Sequence, residues 1–215
     1  MVDFALDNVN TVAYGNRMEK TSSLTPIDWI MAGFRALVAG GEQAIKVEPI
    51  AKSLNVSKGS FYWHFKDVSS LKKEMLTHWE KIATHDIISV LSGSAPSHHN
   101  EQLTPKEQLR QLVEIATSDA SEPYGGALVE PSIRSWARYD KQVAEILASV
   151  DNTRLNFVTG LFEQTGLPKQ QCAMYSRLLY GTLIGLEQLS CYGISNPRLE
   201  LNRLLDLIFN QNNGK

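Results

Sequence analysis

The sequence predicts an all-α protein. Apolar residues recur at helical spacing in one segment after another, a Thr-Pro pair followed by an acid marks a helix start twice, and no stretch alternates with the period of a strand. At 215 residues the chain is either one large helical domain or two small ones, long enough to bury a core without disulfides or metals. Composition is ordinary for a soluble globular protein, 43% apolar and 20% charged with net charge −2. The charge is unevenly spread. Residues 17 to 73 carry nine Lys/Arg against five Asp/Glu, which leaves an acidic remainder. A mildly basic block beside an acidic one fits a polyanion-binding module joined to something else.

Residues 1–23 lack periodicity and read as a flexible arm with Arg17 and Lys20 as its basic elements. Thr25-Pro26-Ile27-Asp28 supplies a capping hydroxyl, proline at the first helical position and an acid in the first turn. Ile27, Ile30, Met31, Phe34, Leu37 and Val38 form the apolar face behind it, and Gly40-Gly41 ends the helix. A second helix fits Val47 to Leu54, followed by Asn55, a residue suited to a left-handed turn. Ser57 is placed to cap a third helix reaching about Phe65. Asp67 is placed to cap a long fourth one, to about Leu91, with Leu71, Met75, Trp79 and Ile82 on one stripe.

The polar segment 92–100 interrupts the pattern, and Thr104-Pro105-Lys106-Glu107 restarts it with capping-box spacing. Further helices are expected at about 126–139, 141–165, 168–191 and 198–211; Pro131 either kinks the first of these or marks a later start. The expected division is an arm at 1–23, a three-helix unit at 24–75 and a helical body at 76–215.

Two short helices joined by a tight turn form a helix-turn-helix pattern, whose second helix lies in the DNA major groove. Asn55 to Phe65 reads NVSKGSFYWHF. One turn apart, Phe61 and Phe65 share a face and are expected to lock the helix onto the first, while Tyr62, Trp63 and His64 point elsewhere. Tyr62 and His64 can donate hydrogen bonds to phosphates, Lys58 adds charge, and Ser57 and Ser60 are short enough to let the backbone approach. Gly59 costs about 1 kcal/mol relative to alanine in a helix, which points to a steric reason for its presence.

The segment VEPIAKSLNVSKGSFYWHFKD and the amphipathic helix after it resemble the DNA-binding domain of the tetracycline-repressor (TetR) family of bacterial transcription regulators. The resemblance covers about residues 24–75; the remainder is similar only in length and helical layout. It implies a homodimer with two N-terminal readers of double-stranded DNA and a C-terminal helical domain that dimerises and binds a small molecule, usually a repressor released by that ligand. By position it implies phosphate contacts from Tyr62 and His64 and a groove-facing surface of Ser57, Lys58, Gly59, Ser60 and Trp63. Lys46 and Val47 begin the helix that also meets the backbone, and Lys66 lies close by. Val68 stands where family members often carry Lys or Arg, so Lys66, Lys72 or the arm would have to replace that contact.

In the body, Gly181 and Gly185 share a helical face and together cost about 2 kcal/mol of helix propensity. Either another helix crosses closely there, or they line a cavity or permit tight packing within the chain. The resemblance implies a four-helix dimer interface, placed here with Phe157, Val158 and Leu161. Trp136, Tyr139, Phe157, Tyr175 and Tyr180 offer aromatic surface with polar tips for an apolar ligand, although aromatics at helical spacing also serve as core.

GxSxG, P-loop, GxGxxG and HExxH motifs are missing, so no common catalytic class is indicated and no cofactor is called for. His98, His99 and Glu101 read as a solvated loop, and His78 and His85 lie about 10 Å apart along a helix, too far to share a metal ion. Cys172 and Cys191, roughly 28 Å apart on a continuous helix, cannot bond to each other. Two unpaired thiols, no signal-like start and no run approaching ~20 apolar residues give the expectation of a cytoplasmic protein outside the membrane. The competing reading is a helical interaction module that keeps the helix-turn-helix without specific DNA binding.

Overall fold

The computed structural model describes residues 24–94, 103–118, 126–190 and 192–210. Within them every regular element is helical. The arm, with Arg17 and Lys20, and the loop carrying His98, His99 and Glu101 lie outside the described residues, as does Cys191.

Helix α1 (Pro26–Gly40) starts as its sequence dictates, with the Asp28 carboxylate accepting from both the Thr25 backbone N–H and the Thr25 hydroxyl at 2.7 Å. After a 3₁₀ turn at Glu42–Ala44 comes α2 (Val47–Ser53), then α3 (Lys58–Phe61). Asn55 takes φ 55°, while Asn55 N–H donates to the Lys52 carbonyl and Val56 N–H to that of Ala51. This pair of bonds is a Schellman closure, and asparagine tolerates the left-handed φ it needs. Helix α3 is shorter than its pattern predicts: residues 62–64 continue only as turns. Ser57 occupies the cap position, but its hydroxyl makes no capping bond.

Helix α4 (Val68–Glu80) is capped by Asp67, whose carboxylate accepts from Ser70 N–H at 2.8 Å. The long helix expected to Leu91 does continue, but through a π turn at Lys81–His85 before α5 (Asp86–Leu91). Its Asp86 N–H reaches back five residues to the Lys81 carbonyl, the pattern of a π bulge. The extra residue re-aims the following turn, and Ile82 is only half-buried.

The body consists of α6 (Pro105–Ala116), a 3₁₀ turn at Gly126–Leu128, α7 (Val129–Ala137), α8 (Lys141–Gln164), α9 (Lys169–Ser190) and α10 (Pro197–Asn210). Pro131 marks a later start rather than a kink, sitting in the first turn of α7 where no helical N–H is lost. Among the described residues no helix is long and apolar enough to cross a membrane, and no group of His, Cys, Asp and Glu converges as a metal site.

Two apolar clusters hold the chain together. The first gathers Trp29, Phe34, Leu37, Phe61, Phe65, Leu71, Met75 and Trp79 and extends to Ile133 and Trp136 of α7 and Val143 and Val150 of α8. The core of the N-terminal three-helix unit is therefore continuous with part of the body across position 75. The second joins Leu109, Val158, Leu161, Phe162, Cys172, Tyr175, Leu201 and Phe209. Helix α8 passes from one cluster to the other, and between Val150 and Val158 it carries Arg154.

Close packing of α1 on α4 depends on Gly33, where a Cβ would lie 2.5 Å from Met75 Sδ. Met75 is fully buried, so its thioether has to shift within the core. Gly33→Ala is expected to destabilise the fold by about 1–3 kcal/mol through overpacking, read from urea unfolding followed by circular dichroism.

Candidate DNA interface and ligand cavity

The rings of the third helix divide between interior and exterior. Phe61 and Phe65 are buried and stack at 5.5 Å, and Phe61 meets Trp29 edge to face at 5.4 Å. Tyr62 is 57% exposed and Trp63 88%. Ser57, Lys58, Gly59 and Lys66 are exposed beside them, whereas Ser60 and His64 are half-buried. A Cβ on Gly59 would meet nothing closer than Ser57 Oγ at 3.6 Å, so nothing inside the chain requires glycine there.

Two residues depart from expectation. The Val47 side chain is buried in the first cluster, leaving only its backbone at the start of α2 for a partner; the exposed residue there is Lys46. Lys72 is tied to Glu42 in an ion pair and its ammonium lies 5.7 Å over the Trp136 ring, so it is not poised to replace a contact at Val68. Val68 itself packs against the core.

In the body a cavity of about 460 Å³ opens between α4, the π turn, α5, α6, α7, α8, α9 and α10. Most of its wall is apolar, with Trp79, Ile88, Leu112, Phe157, Leu183 and Leu201 among the contributors. One end is polar. Arg154 donates to both oxygens of Glu130 at 2.8 and 2.9 Å, to Tyr180 Oη at 2.9 Å, to Thr84 Oγ1 at 3.0 Å and to the Ala83 carbonyl at 3.0 Å. Behind it, Arg134 forks onto Asp151 at 2.8 and 3.0 Å and also reaches Glu130 and Tyr180. Tyr180 donates its own hydroxyl proton to Asp151 at 2.6 Å.

Burial works against both guanidinium charges, but the contacts with Asp151, Glu130 and Tyr180 outweigh it and raise both above the ordinary arginine value. Burial also pushes Asp151 up, yet the hydrogen bonds from Arg134 and Tyr180 hold it below its usual range. The Tyr180 phenol is raised, chiefly by burial, and stays protonated to donate. Glu187, on the same wall, is pushed up to about 7 by burial and by the charge of Glu130, against the pull of Arg154 and Arg134. Elsewhere in α9, burial raises the Cys172 thiol, so it is not an activated thiolate at neutral pH.

Of the five aromatics expected at a ligand, Phe157 and Tyr180 line this cavity. The other three do not. Trp136 packs in the first cluster and donates Nε1–H to Asp140 at 3.2 Å. Tyr139, in the turn after α7, is 89% exposed. Tyr175 is buried 6.0 Å from the Phe162 ring and donates to Gln171. Thr84, Glu130, Arg154 and Glu187, which the sequence pattern does not single out, are among the polar members of the wall.

The expected dimer residues also separate. Val158 and Leu161 are buried in the second cluster, so neither presents a subunit surface, while Phe157 is half-buried and lines the cavity. Gly181 and Gly185 are exposed, and a Cβ on either would meet nothing within 4 Å. That excludes tight intrachain packing as their reason. With Met174, Leu178 and Leu189, each between 42% and 48% exposed, they form one open apolar stripe along α9.

Residues 30–75 match the family model of bacterial regulatory proteins of the tetR family. Among solved structures, a TetR transcriptional regulator from Legionella pneumophila is 15% identical, with 88% of this chain and 99% of that one covered at a TM-score of 0.69. Regulatory protein TetR from Rhodobacter sphaeroides is 17% identical over 83% and 95% of the two chains, with a TM-score of 0.66. A TetR-like transcriptional regulator from Rhodococcus sp. is also 17% identical, covering 93% of this chain and 100% of that one at 0.63. At such identities the likeness establishes the fold. No curated protein sequence matches the chain.

Proposed function

From a tetR-family reader segment carried in the fold of TetR-family transcriptional regulators, we propose that this protein is a dimeric, ligand-responsive repressor. Two readers hold a palindromic operator, and a mostly apolar small molecule in the body's cavity releases them. The observation that carries this reading is the split at positions 61–65: two rings are core, while Tyr62 and Trp63 stand in water, as Lys58 does. A large indole left 88% exposed in the turn that follows α3 fits a groove surface better than a packing role.

The π turn gives the ligand a route to the reader. Arg154, on the cavity wall, binds Ala83 and Thr84 of that turn, and the turn directly continues α4, which packs against α1. A ligand that favours another placement of Arg154 therefore also favours another tilt of α4. Release requires the ligand to bind the DNA-incompetent arrangement more tightly, since equal affinity for both shifts nothing.

The open stripe on α9 supports an isologous two-fold contact, with its glycines letting two copies of the helix approach closely. Leu178→Glu places two carboxylates across that contact. The expected outcome is a monomer by sedimentation velocity, with operator affinity reduced at least about a hundredfold because the second reader is no longer tethered. A variant that remains dimeric with unchanged affinity would place the interface elsewhere.

A further inference from the structure

We propose that the cavity selects uncharged lipophiles whose polar end is an oxygen that accepts a hydrogen bond, as in a ketone or an alcohol, and that it rejects carboxylates. The inference rests on the reading of this cavity as the regulatory ligand site.

Charge matching at the polar end is its first ground. Arg154 donates to both oxygens of Glu130, and Arg134 to both oxygens of Asp151 and also to Glu130. Two guanidiniums thus stand against two carboxylates. Tyr180 joins them, accepting from both arginines and donating to Asp151. The remaining acidic member of the described wall, Glu187, brings no positive charge for an anion. A ligand carboxylate would have to displace Glu130 from its two-oxygen contact or add negative charge beside it. Either is costly away from water. A ligand cation fares no better: Arg154 stands on the same wall, and the charges of Arg154 and Arg134 already act on Glu187.

Spare hydrogen-bonding capacity is the second ground. Each Nη of a guanidinium carries a pair of N–H groups. On Arg154 the Nε–H goes to Thr84, the pair on Nη1 is shared by Glu130 and Tyr180, and one N–H of Nη2 goes to the Ala83 carbonyl. The other N–H of Nη2 has no acceptor among the described residues, and neither has the hydroxyl proton of Thr84. Both side chains belong to the cavity wall. The wall's other hydroxyls are engaged. Thr117 donates to the Val113 carbonyl at 2.7 Å, Ser118 to that of Ile115 at 2.8 Å and Ser190 to the backbone carbonyl of Glu187 at 2.8 Å. What the polar end lacks is therefore an acceptor, and a neutral oxygen supplies one without unbalancing the charges. The apolar remainder of the wall, Ile88, Leu112, Phe157 and Leu183 among it, takes the ligand's body.

The test is isothermal titration of the full-length protein with probes of one chain length: 2-decanone, 1-decanol, decanoate and decyltrimethylammonium, each below its solubility limit and micelle concentration. The ketone and the alcohol should bind at least about tenfold more tightly than either ion. Glu130→Gln removes one carboxylate and leaves an arginine charge over, so it should raise decanoate affinity at least about tenfold relative to 2-decanone. A further readout needs no variant. The infrared carbonyl band of isotopically labelled 2-decanone bound to the wild type should lie below its position in hexane, as it does for a carbonyl that accepts a hydrogen bond. Either ion binding as tightly as the ketone overturns the proposal. So does a carbonyl band at the hexane position, or a folded Glu130→Gln variant that keeps the wild-type ratio. Binding by none of the probes overturns it too, while the regulator reading is judged separately, by selection of duplex DNA, which needs no ligand.

Discussion

Arg154→Met lowers stability by about 3–5 kcal/mol, the expected penalty for removing one partner of a buried ion pair. The arginine side chain is 14% exposed and Glu130 17%, so solvent replaces the lost contact only in part. Glu130 keeps Arg134 but loses two hydrogen bonds, Tyr180 loses one donor, and Thr84 and the Ala83 carbonyl each lose their link to α8. The measurement is urea unfolding of wild type and variant at equal protein concentration. Adding Glu130→Gln to the variant should recover part of the loss, since the uncompensated carboxylate is its main source. A cost below about 1 kcal/mol would mean that the cluster is well hydrated and does not bind α8 to the π turn. The same variant separates stability from signalling: if Arg154 carries the link between cavity and reader, operator affinity no longer responds to any cavity ligand.

The second large effect concerns the recognition helix. Trp63→Ala should alter sequence preference by about 1–3 kcal/mol at one position of each half-site, with stability changed by no more than about 0.5 kcal/mol because the indole stands in water. Tyr62→Phe should instead weaken binding to all sequences alike, as loss of a phosphate contact does. Both are read by fluorescence anisotropy on a panel of duplexes at fixed salt. Two variants that bind like the wild type would move DNA contact away from this face.

Much of the fold was legible because local chemistry and burial agree. Thr25 and Asp28, Thr104 and Glu107, and Asp67 begin helices where their types require it, and Asn55 closes α2 in the conformation its side chain tolerates. The division of Phe61 and Phe65 from Tyr62 and Trp63 followed from helical spacing alone. The π turn was not legible, since neither glycine nor proline marks Lys81–His85; it is held by a long-range partner, Arg154, seventy residues away from Thr84.

The cavity was missed for a related reason. Its polar wall comes from residues on four elements, and aromatic content pointed instead to Trp136, Tyr139 and Tyr175, which packing and exposure place elsewhere. One signal was present. On α8 the inward stripe runs Leu147, Val150, Arg154, Phe157 and Leu161, and on α9 Tyr180, Leu183 and Glu187 follow one another at helical spacing. A charged residue at a core position of an otherwise apolar stripe marks a buried partner or a ligand. Val158 and Leu161 were assigned to the dimer surface because an amphipathic pattern identifies a covered face but not what covers it; here the cover is α6, α9 and α10 of the same chain.

The central claim, that the exposed face around Trp63 reads operator DNA as one half of a dimer, is tested most directly by selecting random duplex DNA with the purified protein at about 150 mM salt. The account predicts enrichment of a palindrome with half-site centres about 34–36 Å apart, or a multiple of that spacing, and a changed preference at one position of each half-site with Trp63→Ala. A folded dimer, freed of any co-purified small molecule by denaturation and refolding, that enriches no sequence would contradict it.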